Sequence, residues 1–137
     1  MGDALWGTPA IRAVKKRFPQ IDIDLLLQPQ WNDLFNGSPY IRKLIPYHSQ
    51  WYRQLLGLPN LLQDRYEHVL IFHANKSISR ILPWLRCSSI WSHQYPEYDK
   101  DGNVIACLPG IPLDKIVQFE KPVHAILRRL ALLKVIN

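Results

Sequence analysis

A chain of 137 residues is the size of one domain and long enough to bury a core, and a single domain is expected; at 47% hydrophobic and 20% charged it has the composition of a globular protein, which excludes a disordered one. A net charge of +6, with a pI near 9.5, favours an anionic partner such as nucleic acid, an acidic lipid surface or a phosphorylated sugar. No apolar run approaches the roughly 18 to 20 residues of a membrane span, and no basic region followed by an apolar core opens the chain, so it is read as cytoplasmic.

The basic residues are spread (Arg12, Lys15, Lys16, Arg17, Arg42, Lys43, Arg128, Arg129) and form no long tract, which argues against a nucleic-acid partner. A peripheral position on the anionic inner-membrane surface stays compatible with the charge. Met1-Gly2 invites a myristoylation reading, but that motif needs Ser or Thr where Trp6 stands. Cys87 and Cys107 lack metal or redox spacing and read as plain thiols.

Taken in order, the chain opens with Gly2-Asp3, then Thr8 as a cap and Pro9 at the first position of a helix whose Ala10, Ile11, Ala13, Val14 and Phe18 share one face. A start at Asp3, with Pro9 in the opening turns, is the alternative. Ile21 to Leu27 alternates into a strand with Asp22 and Asp24 on one side, Pro29 to Phe35 reads as a short helix ended by Gly37, and Ile41 to Ile45 as a strand between Pro39 and Pro46. Gln50 to Gln63 has helical spacing, with a break expected at Gly57 and Pro59.

His68 to His73 is a nearly continuous apolar strand, the type covered by helices on both faces, and Ser77 to Leu85 is the helix after it, with Ile78, Ile81, Leu82 and Leu85 on one face. Ser89 to His93 reads as a strand, and Asp99 to Asn103 as a turn into Val104 to Leu108; the calcium-loop ligand set is absent there. Pro109 to Phe119 reads as irregular and Pro122 to Val135 as a helix. Strands alternating with helices predict an α/β fold, a Rossmann-like parallel sheet flanked by helices that binds ligands beyond the carboxyl ends of its strands.

On that rim, Asp3 is a candidate general base or simply a helix-terminal carboxylate, and Gly2 allows close approach of a ligand or serves an ordinary turn. Thr8 is a cap or a ligand. Asn75, Lys76 and Ser77 follow the most apolar strand and open a helix, where N–H groups and a lysine hold a phosphate or a sugar hydroxyl; a solvated first turn is the alternative. His48, Trp51, Tyr52 and Arg53 form a basic and aromatic group suited to a sugar or its anionic substituent, or to a helix surface. His68, His93 and His124 lack metal spacing, and no Gly-rich phosphate loop or Ser-His-Asp order is present, so neither metal nor cofactor is expected.

Gly2-Asp3, Thr8-Pro9-Ala10-Ile11, the basic helix and Phe18-Pro19 together resemble the opening of family 9 glycosyltransferases, the lipopolysaccharide heptosyltransferases. Ile21 to Leu27 is similar to that family's second strand, and Asn36-Gly37-Ser38-Pro39-Tyr40-Ile41 to its Asn-Pro-x-Ile turn. Arg65 to Ile71 is similar to its Tyr-Asp strand, with Glu67 where Asp is usual; Lys76-Ser77 matches a Lys-Ser pair, and the tail from His124 matches a helix near the end of the N-terminal half.

The resemblance implies the N-terminal, acceptor-side domain of a GT-B glycosyltransferase, its first strand missing, and Asp3 as base in an inverting transfer. The partners would be a nucleotide sugar, held by a second domain, and a saccharide or glycolipid acceptor of the lipopolysaccharide core. With the donor half absent, the 137 residues are expected to transfer nothing by themselves. A stand-alone inactive module binding an anionic saccharide or lipid head group is the competing reading.

Overall fold

The computed structural model describes residues 5–48, 50–73, 76–94, 97–98, 104–105, 115–119, 123–133 and 136. These fall into two compact units, Met1–Asp64 and Arg65–Asn137. Both are α/β, with short parallel sheets and accompanying helices, as the alternation of apolar patterns predicts.

In the first unit, helix α1 (Thr8–Arg17) buries Ala10 and Ile11 and turns Arg12, Lys16 and Arg17 outward. Thr8 is not its cap. The helix begins a residue earlier in its bonding, because the Ile11 N–H already donates to Gly7 O at 3.1 Å and leaves the threonine hydroxyl no donor there; Pro9 occupies the first turn, where its missing N–H is not needed. Strand β1 (Asp24–Leu27) is shorter than the expected Ile21 to Leu27, and pairs in parallel with β2 (Lys43–Pro46) from Asp24 opposite Lys43 to Leu27 opposite Pro46. A 3-10 turn (Pro29–Leu34) lies between them and ends at Phe35, short of the expected Gly37, whose φ of +75° suits a residue without a Cβ.

Helix α2 (Trp51–Leu62) packs on β2 and runs through Gly57 and Pro59 without the expected break. The proline lies in the last turns, so it removes a single hydrogen bond. Beyond it Gln63 N–H still donates to Pro59 O at 3.2 Å, while Leu61 is buried.

In the second unit, β3 (Tyr66–Ile71), helix α3 (Lys76–Ile81), a 3-10 turn (Leu82–Trp84) and β4 (Cys87–Gln94) form a parallel βαβ unit, with Ile71 opposite Ser92. Its core is Ile71 and Leu82, with Val69, Ile78, Leu85 and Ile90 against them, so the apolar stripe of α3 packs as its spacing predicts. Strands β5 (Glu97–Tyr98) and β6 (Val104–Ile105) make a short antiparallel pair around the expected turn, whose residues 99–103 lie outside the described ones.

The sequence between Pro109 and Phe119 contains a strand that its pattern did not announce. Strand β7 (Lys115–Gln118) pairs in parallel with β4, giving the order β3-β4-β7. Helix α4 (Ala125–Leu133) then packs on β4, and His124 starts it by accepting the Ile126 N–H at Nδ1.

Candidate functional site

Parallel strands present their ligand-binding loops at their carboxyl ends, so the two ends of each sheet differ in what they can do. At the amino end of the first sheet Arg42 grips Asp24 with both arms of its guanidinium, Nε to Oδ1 at 2.8 Å and a terminal nitrogen to Oδ2. The same group reaches Asp64 at 3.1 Å and Asp22 at 3.8 Å, and Lys43 reaches Asp64 at 3.3 Å. The hydrogen bonds to Asp24, with the fields of Asp24, Asp64 and Asp22 and against some desolvation, raise the Arg42 pKa above its already high value. With three carboxylates on one guanidinium this cluster has no charge to spare for a ligand. It fastens β1 to β2.

The carboxyl end of β2 leads through buried Tyr47 and His48 into α2, whose first turn carries Arg53 and Tyr52, both exposed. Tyr52 donates its hydroxyl to Gln50 Oε1 at 2.9 Å. Arg53, named from sequence, thus stands exposed in the first turn of the helix that follows β2. Thr8 stands at the start of α1, half-buried. Gly2, Asp3 and Asn75 lie outside the described residues, as does the side chain of Lys76; the Lys76 backbone opens α3 and Ser77, half-buried, follows it.

The carboxyl end of β3 and β4 holds the arrangement with the most chemistry in it. Phe72 and His73 follow β3, and His93 is the penultimate residue of β4. Helix α4 brings Arg128 and Arg129 to them. Arg129 is only 3% exposed, and its guanidinium lies 5.8 Å from the centre of the Phe72 ring, a cation–π distance.

His93 shows what this does to the local field. Its pKa is lowered from 6.5 to about 4, first by burial and then by the positive charges of Arg128, Arg129 and His73; a backbone hydrogen bond at Ile71 opposes the shift. Its Nδ1 is buried and has no hydrogen-bond partner among the described residues. Among the described residues the charges that act on the ring are cationic, and a neutral imidazole beside two permanently charged guanidiniums favours an anion over a proton.

Sequence reasoning missed this cluster, having passed over His93 for lack of metal spacing. The signal was present in α4: Ala125, Arg129 and Leu132 are spaced to share one helix face, and all three are buried, so an arginine stands where the helix keeps its apolar residues. Elsewhere Cys87 is half-buried and Cys107 lies outside the described residues. Among the described residues no three His, Cys, Asp or Glu side chains gather as metal ligands would, and no helix is long and apolar enough to cross a membrane.

No family model matches the sequence, and no curated protein matches it. Solved structures do. Escherichia coli heptosyltransferase WaaC with ADP aligns with a TM-score of 0.74 at 17% identity, over 96% of this chain and 42% of that one. A family 9 glycosyl transferase from Veillonella parvula aligns with a TM-score of 0.72 at 16% identity, over 97% of this chain and 37% of that one. WaaC with ADP-2-deoxy-2-fluoro heptose gives 0.70 at 15% identity, over 96% and 44%. The chain spans less than half the length of each, and at such identities the likeness is one of fold. The α/β fold of these 137 residues is thus that of part of a heptosyltransferase-like glycosyltransferase.

Proposed function

We propose that residues 1–137 form the acceptor-side domain of an inverting glycosyltransferase of the heptosyltransferase kind, and that the carboxyl rim of β3 and β4 holds an anionic group of a saccharide acceptor. The observation that carries this reading is the buried Arg129, with Arg128, His73 and a neutral His93, at the end of the sheet where α/β folds bind ligands. A phosphate or carboxylate on the sugar accepts the guanidinium N–H groups, and the aromatic face of Phe72 lines the approach.

In the complete enzyme the sugar nucleotide sits on a domain outside these residues; that WaaC is solved with ADP and with an ADP-sugar analogue supports a sugar-nucleotide donor. Asp3 accepts the proton of the acceptor hydroxyl as the new C–O bond forms, and attack from the side opposite the nucleotide inverts the anomeric carbon. Thr8 and Arg53 in the first unit, and separately the Asn75-Lys76-Ser77 turn in the second, are the further candidate contacts to a saccharide.

Titration of the chain with glucose 6-phosphate and with galacturonate, against glucose and galactose, tests the reading. The anionic sugars are expected to bind and to raise the His93 pKa, followed by its imidazole NMR signals; equal behaviour of charged and neutral sugars would sink it. A chain that binds the anionic sugars, while a two-domain version bearing an intact Asp3 transfers nothing, would instead be an inactive binding module.

A further inference from the structure

In the amino-terminal half of the β3–β4 pair stands a cluster that the saccharide reading does not use. His68 and Ser89 lie directly opposite each other on the two strands, so their side chains share one face of the sheet. There the Ser89 hydroxyl reaches His68 Nδ1 at 2.7 Å. Its other acceptor, Glu67 O, is farther away at 3.4 Å, so the imidazole is the better partner for the hydroxyl proton.

Two neighbours fix the imidazole. The buried Trp91 stacks on it, with ring centres 4.6 Å apart and planes 28° from parallel. The Glu67 carboxylate lies 3.9 Å from His68 Nε2 on the other side. A carboxylate there favours the tautomer that carries its proton on Nε2, which leaves the Nδ1 lone pair to accept from Ser89. A hydroxyl, a base within hydrogen-bond reach and a third group that orients the base make up the arrangement that activates a serine for attack. His68 is exposed and Ser89 half-buried, so a small molecule can reach both.

We propose that Ser89 and His68 hydrolyse carboxylic esters with a small acyl group, such as acetyl. Ser89 Oγ attacks the ester carbonyl as His68 Nδ1 takes the hydroxyl proton, and the carbonyl electron pair moves to oxygen. Collapse of that intermediate breaks the bond to the alkoxy group, which leaves with the proton returned from Nδ1. Water repeats the sequence on the acyl-serine, giving a carboxylic acid and free Ser89, with nothing oxidised or reduced. Ser89 precedes His93 by four residues, about 13 Å along the strand, so this activity goes beyond the saccharide reading and stands without it.

Labelling of the purified chain with a fluorophosphonate, whose fluoride an activated serine displaces, tests it by peptide mass spectrometry. The label is expected on Ser89 and not on the exposed Ser88, which alternates to the other face of the sheet. In His68→Gln the rate of labelling should fall about 10²-fold or more. p-Nitrophenyl acetate should give a burst of nitrophenol followed by turnover, and Ser89→Ala should lose both. Glu67 acts through the histidine as a positioning residue: Glu67→Gln should slow labelling severalfold and shift the His68 proton from Nε2 toward Nδ1, read by nitrogen NMR. Thermal unfolding checks that each variant is folded.

No label on Ser89, or label spread equally over Ser88 and Ser89, would overturn the proposal, and both are read on the unaltered chain. So would acetate release that survives in folded Ser89→Ala, or an unchanged labelling rate in folded His68→Gln. None of these results bears on the titration with anionic sugars, so the two readings fall separately.

Discussion

Arg129 is a permanent charge on the inner face of α4, and a buried charge persists at a cost unless something offsets it. For Arg129→Met we expect a loss of about tenfold or more in affinity for glucose 6-phosphate by calorimetry. A residue kept for packing alone would show a lower unfolding midpoint in urea and unchanged affinity.

His93 gives a pH signature with a fixed sign. The imidazole protonates near 6.5 when unfolded and near about 4 when folded, so between those values the unfolded chain binds more protons. Stability should be level above pH 6.5 and fall as the pH drops toward 4, by an amount on the order of 1 to 2 kcal/mol once partial solvent screening is allowed for. His93→Gln should flatten that slope in urea titrations from pH 4 to pH 7. At this scale the sequence was half legible: an arginine among apolar helix positions is visible in Ala125 to Leu133, but the strand ending that puts His93 beside it is not.

Among the elements, the β1–β2 pair owes its register to Leu25, Leu26, Leu44 and Ile45 between the strands, and to Arg42 at one end. The Asp24 carboxylate is only 3% exposed, whereas Asp22 is 65% exposed. Arg42→Ala takes from the first of these its two-pronged ion pair, and we expect a loss of about 1 to 3 kcal/mol in denaturant unfolding, against a change within about 0.5 kcal/mol for Asp22→Asn. Alternation in Ile21 to Leu27 announced the strand and set both aspartates on one side, though not which of them would be covered. The apolar stripe of the expected Ser77 to Leu85 helix was readable because its partners are close in sequence, but the helix ends at Ile81, and Leu82 and Leu85 reach the core from the 3-10 turn and its end. Helix α2 outlasted Pro59 because packing on β2 outweighs one missing bond, and β7 was illegible because four residues become a strand only by pairing with distant Trp91 to Gln94.

For the whole molecule, the Gly2-Asp3 and Thr8-Pro9 resemblance pointed to the fold that the solved structures share, at identities under a fifth. The catalytic expectation belongs to a larger protein. In a two-domain version completed with a sugar-nucleotide domain, Asp3→Asn should lower transfer by about 10² to 10⁴ while binding of the acceptor sugar persists, measured by product formation and by calorimetry. Loss of both together would make Asp3 a helix-terminal carboxylate and not the base.

The order β3-β4-β7 has a temporal side as well. Strands β3 and β4 are joined by one short helix and can meet early, since closing that loop costs little chain entropy. Strand β7 must return across the segment that holds β5 and β6 before α4 can settle on β4 and carry Arg128 and Arg129 to His93. On that account the rim should be late to assemble, and a nascent chain released before α4 would have β3, β4 and His93 without Arg128 and Arg129 beside them.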